Sequence, residues 1–540
     1  MAVSKLQSTS VGAPGFLGLN TQDSGVNLES GYATVATNCV IDKFGRLGAR
    51  KGWDLKTTST TLSTDAYIEA IFEFKDVDGS QTILSTGDGK MFTGTTTQTA
   101  LTVYTDTDGT VPNTGATIGN RMQFASLLEG TGQDADSYAL AVQRGIPALV
   151  YRRSGNAHDG PYILQQIGDY GSKPTGIATF DPDCVLSAFG RMWTAGITSN
   201  QSTIYYSALS DPSEFAASVS GSGVLDISTV VGGNDDIVAL SQHNGFLVVF
   251  CQHHIVIYSG AQSPSTMVLE DVITGVGCIA RDSVQVTGTD LIFLSNSGVR
   301  SFNRTVQEKS MPMRELSLNI RDDLVSYLAV ETFNNVRSVY YENEAFYLIT
   351  FPGSRIMIYF DLRTALPNGA ARATTWKTES GIIFKASCNT HDRKLLLGVP
   401  NGIAEYSGYL DNTDTYPFEY LTAASDMGQA TMNKLLKKAE LMVIGSGEQD
   451  FTFRWGYDYT INLNSQNISR DFGVTSLSRY NLGYQYNIDK YSTVGLGIQQ
   501  IKIPLTGSGK IVQFGINSTI EGEPLSIQKI DVYLKTGKTI

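Results

Sequence analysis

The sequence predicts an all-β protein, with a β-propeller of six or seven blades followed by a C-terminal β-sandwich-like domain. Three observations lead to this fold class. A short apolar–turn–apolar pattern recurs along the chain, its copies are spaced like propeller blades, and turn-forming residues separate the apolar runs. Glycine alone accounts for 54 of the 540 residues, and such a composition favours many short strands joined by turns. With 41% hydrophobic residues the chain can bury a large core.

Seven copies of the pattern carry two apolar runs around a polar or glycine turn and end in an aromatic residue. They are TILSTGDGKMF (Thr82–Phe92), YALAVQRGIPALVY (Tyr138–Tyr151), RMWTAGITSNQSTIYY (Arg191–Tyr206), GFLVVFCQHHIVIY (Gly245–Tyr258), LIFLSNSGVRSF (Leu291–Phe302), AFYLITFPGSRIMIYF (Ala345–Phe360) and KLLLGVPNGIAEY (Lys394–Tyr406). Their β-branched and aromatic residues predict β-hairpins. The copies lie roughly 44 to 58 residues apart, near or somewhat above the period of a four-stranded blade. Blades stacked in a ring bury both faces of each hairpin; an array of β-sandwiches is the alternative.

One segment, RELSLNIRDDLVSYLAVE (Arg314–Glu331), interrupts the pattern. Apolar residues recur in it every four positions, at Leu316, Ile320, Leu324 and Leu328. This spacing predicts an amphipathic helix that packs between two blades. A helix that binds a partner is the alternative.

The chain changes character after about residue 410. Apolar runs continue in KLLKKAELMVIGSG, DFTFRWGYDYTINL, KIVQFGINSTI and LSIQKIDVYLK, but without the blade spacing. NKLLKKAEL could form a helix on its own, and the apolar MVIGSG that follows favours a strand. The predicted organisation is therefore an N-terminal arm with closing strands (1–60), a propeller (61–410) and a β-sandwich-like domain (411–540).

The net charge limits the possible partners. The chain has 52 acidic and 40 basic residues, a formal net charge of −12. Tight nonspecific binding of nucleic acid needs a basic face, which this balance does not favour. An acidic surface could instead form a wall along which DNA slides without sticking.

Cysteine usage and hydropathy indicate the compartment. Five cysteines lie far apart without a CxxC pair, as expected of scattered buried thiols in a reducing compartment. The first ten residues, MAVSKLQSTS, lack the apolar stretch of a signal peptide. The longest apolar runs are too short for a transmembrane helix, so no membrane span is expected.

The sequence shows no motif of a known catalytic or metal site. The DxDG stretches at Asp76–Gly79 and Asp106–Gly109 lack the further ligands of a calcium loop and predict turns. DNTDTY (Asp411–Tyr416) could hold a cation, but a linker turn is the simpler interpretation. His253 and His254 are adjacent in a strand-like run, so we expect their side chains on opposite faces; the other histidines, at positions 158, 243 and 391, lack ligand spacing. We therefore expect no enzyme activity, no catalytic residue, no cofactor and no metal.

A basic segment, NCVIDKFGRLGARKGW (Asn38–Trp53), stands out in this acidic chain. It lacks the GK[ST] ending of a phosphate-binding loop. The simpler interpretation is strand–turn–strand, with one strand ending at Cys39–Ile41, a turn at Asp42–Gly45 and the next strand beginning at Leu47. Arg46 and Arg50 are then expected to bind carboxylates or carbonyls of the protein rather than phosphate, although phosphate contact by Lys43, Lys51 and these arginines is the alternative.

This segment carries a family resemblance. Gly18–Trp53 resembles the N-terminal stretch of propeller-type tail proteins from short-tailed phages, the tail nozzle or tail tubular protein B family. The shared features are an L-x-x-G-x-A step at Leu28–Ala33, Asn38, and G-R-L-x-x-R-x-G at Gly45–Gly52. The C-terminal stretches K-x-V-Q-F-G-I-N-S and Q-K-I-D-V-Y-L-K-T-G also resemble this type of tail protein in their residue pattern. The strong match covers about 35 residues, judged by its turns and strands.

The resemblance implies a structural virion protein. Members of this family combine a β-propeller with added β domains and form a ring, typically a hexamer, around the DNA exit channel. The expected partners are further copies of the chain, the tail adaptor and portal-proximal proteins, tail fibre or spike proteins, and the genomic DNA that passes through. The expected location is the phage tail, after synthesis in the bacterial host cytoplasm. A carbohydrate-active or receptor-binding propeller of the tail is the alternative function.

Overall fold

A computed structural model describes the chain over residues 7–11, 16–25, 28–42, 45–59, 61–129, 136–154, 160–217, 221–307, 315–472 and 497–537. Almost all of its regular structure is β. Six strands precede the propeller: β1 (Gln7–Val11), β2 (Gly18–Leu19), β3 (Tyr32–Thr37), β4 (Cys39–Ile41), β5 (Leu47–Ala49) and β6 (Trp53–Ser59).

Seven blades follow in the described part of the chain. The first three contain β7 (Ala70–Lys75), β8 (Gln81–Gly87), β9 (Lys90–Thr93) and β10 (Thr97–Ala100); β11 (Val103–Tyr104), β12 (Gln123–Glu129), β13 (Asp136–Gln143), β14 (Ile146–Arg153) and β15 (Tyr162–Gln166); and β16 (Cys184–Ala188), β17 (Arg191–Ile197), β18 (Asn200–Tyr206) and β19 (Gly223–Asp226). The last four contain β20 (Ile237–His243), β21 (Phe246–Cys251), β22 (His254–Ser259) and β23 (Val268–Thr274); β24 (Gln285–Val286), β25 (Leu291–Leu294) and β26 (Val299–Ser301); β27 (Arg337–Tyr341), β28 (Phe346–Phe351), β29 (Ile356–Asp361) and β30 (Arg372–Trp376); and β31 (Ala386–Asn389), β32 (Leu395–Val399) and β33 (Gly402–Tyr406).

The seven predicted hairpins are confirmed. Each is an antiparallel pair inside one blade, from β8 with β9 in blade 1 to β32 with β33 in blade 7. Two of the turns have the expected chemistry: Asp88 and Asn401 adopt positive φ in the hairpins of blades 1 and 7, where Asn and Asp are tolerated better than most residues.

The β6 strand closes the ring. It pairs antiparallel with β33 as the outer strand of blade 7, with Trp53 opposite Tyr406. It also pairs in parallel with β10 of blade 1, at Thr97 opposite Thr58. A segment from before the propeller thus joins the last blade to the first.

Hydrophobic clusters between successive blades complete the ring. Neighbouring residues of one strand point to opposite sides, so each blade contributes to two clusters. In β21, Val248 packs towards blade 5 with Phe293, whereas Val249 packs towards blade 3 with Trp193. Equivalent clusters join blades 1 and 2, 2 and 3, 5 and 6, 6 and 7, and 7 and 1. The predicted β-propeller is therefore present, with seven blades.

The C-terminal strands are β34 (Tyr416–Thr422), β35 (Lys434–Gly445), β36 (Glu448–Tyr457), β37 (Asn464–Asp471), β38 (Gly497–Pro504), β39 (Ser508–Gly509), β40 (Val512–Ile520) and β41 (Leu525–Thr536). They form two sheets with N-terminal strands inserted. One has the order β38-β35-β41-β5-β4, with β1 also on β41; the other runs β3-β34-β40-β36-β37 and continues from β30 of blade 6. Side chains of both sheets share one core. Lys434–Gly445 is a strand, as predicted.

Helical structure is limited to short pieces in the described residues: α1 (Ser228–Val231), α2 (Phe302–Gln307), α3 (Arg321–Leu328) and the 3₁₀ turns Pro264–Thr266, Arg281–Ser283, Leu318–Ile320 and Phe333–Asn335. The helix predicted for Arg314–Glu331 was too long at both ends: Leu316 lies in a turn before the 3₁₀ turn, and the α-helix ends at Leu328. Leu316, Ile320, Leu324 and Leu328 nevertheless all enter the core between blades 5 and 6. None of the described helices has the length and apolarity needed to cross a membrane.

The closing pair β33–β6 gives a stability prediction. A Cβ atom at Gly402 would lie 2.0 Å from the carbonyl oxygen of Thr57 in β6, whereas one at Gly233 would meet nothing within 4 Å. We expect Gly402→Ala to lower the free energy of unfolding by about 1–3 kcal/mol, because overpacked backbone has to shift. Gly233→Ala is the control. Denaturant unfolding followed by tryptophan fluorescence measures both, and equal midpoints would contradict the closing role of this strand pair.

Candidate functional site

The basic segment forms the junction between propeller and sandwich. Arg50 is 1% exposed, and so is Asp411. The two terminal nitrogens of Arg50 donate to the two carboxylate oxygens of Asp411 at 2.8 and 2.7 Å. This bidentate pair is shielded from water. If either partner were removed, the other would be left as an uncompensated buried charge.

All five N–H groups of Arg50 are used. Besides the carboxylate, Nε donates to Oδ1 of Asn38 at 2.9 Å, and the terminal nitrogens donate to the carbonyls of Lys51 at 2.8 Å and Lys377 at 3.0 Å. The guanidinium lies over the ring of Tyr416, 4.1 Å from its centroid. A lysine has neither the fork nor the planar face for this environment.

Asn38 ties three parts of the chain to this arginine. Its φ of 57° places it between β3 and β4 in the left-handed region, which Asn tolerates. Its Nδ2 donates to the carbonyls of Lys377 at 2.8 Å and Pro417 at 2.6 Å. The N-terminal segment, the end of blade 6 and the first sandwich strand therefore meet at one point.

The expectation that Arg46 and Arg50 contact the protein itself is confirmed. Arg46 Nε donates to Asp42 at 2.6 Å, within the predicted turn. Lys51 Nζ lies 2.5 Å from Glu344, and Lys43 lies outside the described residues. Burial lowers the pKa of Arg50, but the hydrogen bonds and charge of Asp411 outweigh it and hold the pKa above its ordinary value.

A second group of charges surrounds one end of the propeller's own channel. One strand of each blade, namely β7, β12, β16, β20, β24, β27 or β31, contacts its counterpart in a neighbouring blade, so these are the innermost strands. Residues at their beginnings line a cavity of about 180 Å³ drawn from blades 1, 2, 5, 6 and 7. We call this end of the channel, where the innermost strands begin, the arginine end. Four arginines occupy it: Arg121, Arg144, Arg281 and Arg337.

Asp282 holds two of these arginines. Arg281 donates to both of its carboxylate oxygens, at 3.0 and 2.9 Å, and Arg337 donates to one at 2.8 Å. Burial raises the pKa of Asp282, but the charges of Arg281 and Arg337 outweigh it and lower the pKa below its ordinary value of 3.8. No motif of the sequence predicts this cluster, because its residues come from different blades.

The prediction for the paired histidines was wrong. His253 lies in the turn after β21 rather than in a strand, so the alternation of strand faces does not apply. The Nδ1 atoms of His253 and His254 lie 3.3 and 2.8 Å from the two oxygens of Asp235. Within the described ranges, no three His, Cys, Asp or Glu side chains are arranged to hold a metal ion. His158 lies outside the described residues.

The remaining candidates are structural features. Asp76–Gly79 and Asp106–Gly109 are turns, closed by hydrogen bonds from the glycine nitrogens to the aspartate carbonyls at 3.0 and 3.4 Å. Asp411 begins a turn that returns to Asp414. All five cysteines are free; four are buried and Cys388 is half-buried. Burial raises the pKa of Cys184 to about 12, which leaves its thiol protonated and unreactive.

A larger cavity of about 910 Å³ lies beside blades 6 and 7. Trp53 and Tyr67 line it, but Trp53 is 4% exposed and Lys385 covers the ring of Tyr67, 4.4 Å from its centroid. Trp53 is therefore too buried to stack on a sugar, and Lys385 occupies one face of Tyr67. The carbohydrate-active alternative stays a prediction.

Comparison with known proteins gives no family for the chain. No protein-family model and no curated protein matches it. Among solved structures, the WD40 domain of Neurospora crassa Pan2 aligns over 66% of this chain and 96% of that one, at 11% identity and a TM-score of 0.34. The extracellular domain of the putative one component system BT4673 from B. thetaiotaomicron aligns over 68% of this chain and 41% of that one, at 10% identity and a TM-score of 0.26. PorZ, a surface component of the Porphyromonas gingivalis type-IX secretion system, aligns over 66% and 37%, at 9% identity and a TM-score of 0.32.

These likenesses are too weak to carry functional information. The strand pairing and the seven inter-blade clusters define the chain as a seven-bladed propeller protein with a β-sandwich built from both ends of the described chain.

The junction pair gives a second stability prediction. Arg50→Met leaves Asp411 buried without a partner, which costs about 3–5 kcal/mol. The double change Arg50→Met, Asp411→Leu removes both charges and should recover part of this loss. Arg470→Met, at an exposed arginine of β37, should stay within about 0.5 kcal/mol of the parent chain. Unfolding in urea measures all three, and an Arg50→Met protein as stable as Arg470→Met would refute the junction.

The structural role of the same arginines can be separated from phosphate binding. The double change Arg46→Glu, Arg50→Glu should impair folding or assembly, because it places like charges beside Asp42 and Asp411. Native mass spectrometry and a DNA-binding assay on the purified chain provide the readouts. Intact assembly combined with loss of DNA binding would show that these arginines serve phosphate instead.

Asp282 predicts a dependence of stability on pH. Because its pKa is lower in the folded chain than in the unfolded chain, its charge stabilises the fold above the unfolded pKa of about 4, and the contribution is lost as pH falls through the folded pKa. Asp282→Asn should therefore destabilise strongly at pH 7, and its difference from the parent chain should shrink below pH of about 4. Asp392→Asn, at an exposed aspartate, is the control. A difference independent of pH would contradict the role of the charge.

Proposed function

We propose that this chain is a structural subunit of a phage tail, forming the nozzle ring through which DNA leaves the virion. The observation that carries the proposal is the segment Gly18–Trp53, whose motif resembles the tail nozzle family. Its partners would be copies of itself, the adaptor and portal-proximal proteins, and tail fibres or spikes.

The motif residues support the proposal because they determine the architecture. Gly45 turns the chain at a φ of 77°. Arg50 builds the junction, and a Cβ atom at Gly52 would lie 1.8 Å from the carbonyl oxygen of Leu410. A resemblance at these positions is therefore a resemblance in how propeller and sandwich are joined, and this joining is what a rigid conduit subunit requires.

The sandwich has edges on which a neighbouring copy could pack. Strands β37 and β38 lie at the ends of their sheets in the described strand order. Ile498 in β38 is 67% exposed, and Ile461 before β37 is 96% exposed. Sheet ends that carry exposed apolar residues, as these do within the described ranges, favour contact with another chain, and closed symmetry would repeat that contact around a ring.

The charge balance suits a passive channel. A wall with more Asp and Glu than Lys and Arg lacks fixed cations that would trap phosphates. In a ring, even one carboxylate per chain becomes a ring of negative charge around the axis, which acts on DNA within a screening length of about 8 Å at physiological salt.

The test is the assembled form. We expect the purified chain, alone or with the adaptor ring, to form a closed ring of identical chains, seen by light scattering and by electron microscopy of the particle. We expect Asp and Glu to outnumber Lys and Arg on the lumen surface. A chain that stays monomeric in the virion, or a lumen dominated by Lys and Arg, would refute the proposal.

A further inference from the structure

We propose that the arginine end of the propeller channel binds a small multiply charged oxyanion of the phosphate or sulfate class. The site lies inside one chain and is distinct from the lumen of the proposed ring. It does not rest on the proposed function, because a single chain contains all of its residues.

The charge of the site is opposite to that of the protein. The four arginines line the two cavities at this end together with the carboxylates Glu69, Asp183 and Asp282, and Lys385 Nζ forms an ion pair with Glu69 at 3.3 Å. Within a chain of net charge −12, this is a local excess of positive charge, and Arg281 and Arg337 are buried within it. Such an excess is costly without an anion and becomes favourable with one.

The carboxylates do not use up the arginine donors. Arg337 is 7% exposed; its Nη1 donates to Asp282 and to the carbonyls of Asn334 and Val336. Its Nε makes a long hydrogen bond to the carbonyl of Glu69, at 3.5 Å. The other terminal nitrogen, Nη2, makes no hydrogen bond to any residue within the described ranges, although Arg337 lines the cavity.

Arg121 and Arg144 offer further donors. Arg121 uses only Nη1 among the described residues, in a hydrogen bond to Asn335. Arg144 donates from Nε to the carbonyl of Gly196 at 3.0 Å and places Nη2 3.7 Å from Asp183. Guanidinium groups with unused N–H pairs match the geometry of a tetrahedral oxyanion.

The arginines also oppose one another electrostatically. Burial lowers the pKa of Arg337, and the charges of Arg281 and Arg121 lower it further against the effect of Asp282. A bound anion would relieve this repulsion.

The volume of the cavity limits the size of the ligand. About 180 Å³ beside the inner strands, next to a further 60 Å³ between Arg121 and Asp183, accommodates an inorganic ion with a few waters. Sites for larger organic ligands occupy about 300–1,000 Å³. The cavity is therefore too small for a nucleotide or an oligosaccharide.

The experiment uses the full chain in chloride buffer at pH 7, with inorganic phosphate or sulfate added at constant ionic strength. We expect both anions to raise the unfolding temperature in a saturable way, and calorimetric titration with phosphate to give a binding isotherm. Arg121→Gln should weaken phosphate binding at least tenfold, and Arg337→Gln should abolish it. Arg470→Gln on β37 should bind like the parent chain.

Two outcomes would overturn the proposal. One is an equal rise of the unfolding temperature in chloride, which would show screening alone. The other is an unchanged phosphate affinity in Arg121→Gln, a variant that loses a single hydrogen bond and tests the site even where Arg337→Gln does not fold. Because the oligomeric state is measured separately, failure here leaves the ring proposal untouched, and failure of the ring leaves the anion site untouched.

Discussion

The arginine fork of Arg50 is buried against a carboxylate 361 residues further along the chain. Neither charge is stable when it is buried alone, so the N-terminal segment and the linker after blade 7 depend on each other for burial. The same segment continues directly into β6, which completes blade 7. Ring closure and docking of the sandwich are therefore coupled through a few residues. This coupling explains why the motif is rich in glycine: the backbones of Gly52 and Leu410 have to approach within van der Waals contact.

The blades of the propeller also depend on one another to bury their side chains. Because alternate residues of one strand serve clusters on opposite sides, no blade has a core of its own. Within the described ranges, blade 5 contributes three strands, and α2 and α3 supply the apolar side chains Phe302 and Leu324 to its two flanking clusters. These helical pieces lie between the hairpins of blades 5 and 6 and lengthen the spacing of the pattern there.

Sequence reasoning succeeds where structure is local. The hairpins were predictable because the turn and both strands lie within sixteen residues or fewer. It was predictable that Arg50 binds carboxylates or carbonyls of the protein. Its partner Asp411 was not predictable, because it is distant in sequence. The insertion of β4 and β5 beside β41 could not be predicted, since no local pattern encodes a pairing across the whole chain.

His253 was assigned to a strand although it lies in the turn after β21, because a shift of one residue decides where a strand ends. The arginine end had a signal: charged residues such as Glu69, Asp183 and Lys385 directly precede innermost strands. Recognising it requires knowing which strand of each blade is innermost.

The charged groups at the junction and at the arginine end differ in how fully their hydrogen-bond donors are used. At the junction, one arginine meets one carboxylate with every donor used, so the pair is saturated and serves only to fix geometry. At the arginine end, four guanidinium groups share a smaller number of carboxylates, and Arg337 keeps a terminal nitrogen without a partner in the described chain. The unused nitrogens at the arginine end face a cavity rather than a packed core, so they remain available to a ligand. The junction has no donor left for a ligand, and its role is to hold the propeller and the sandwich together.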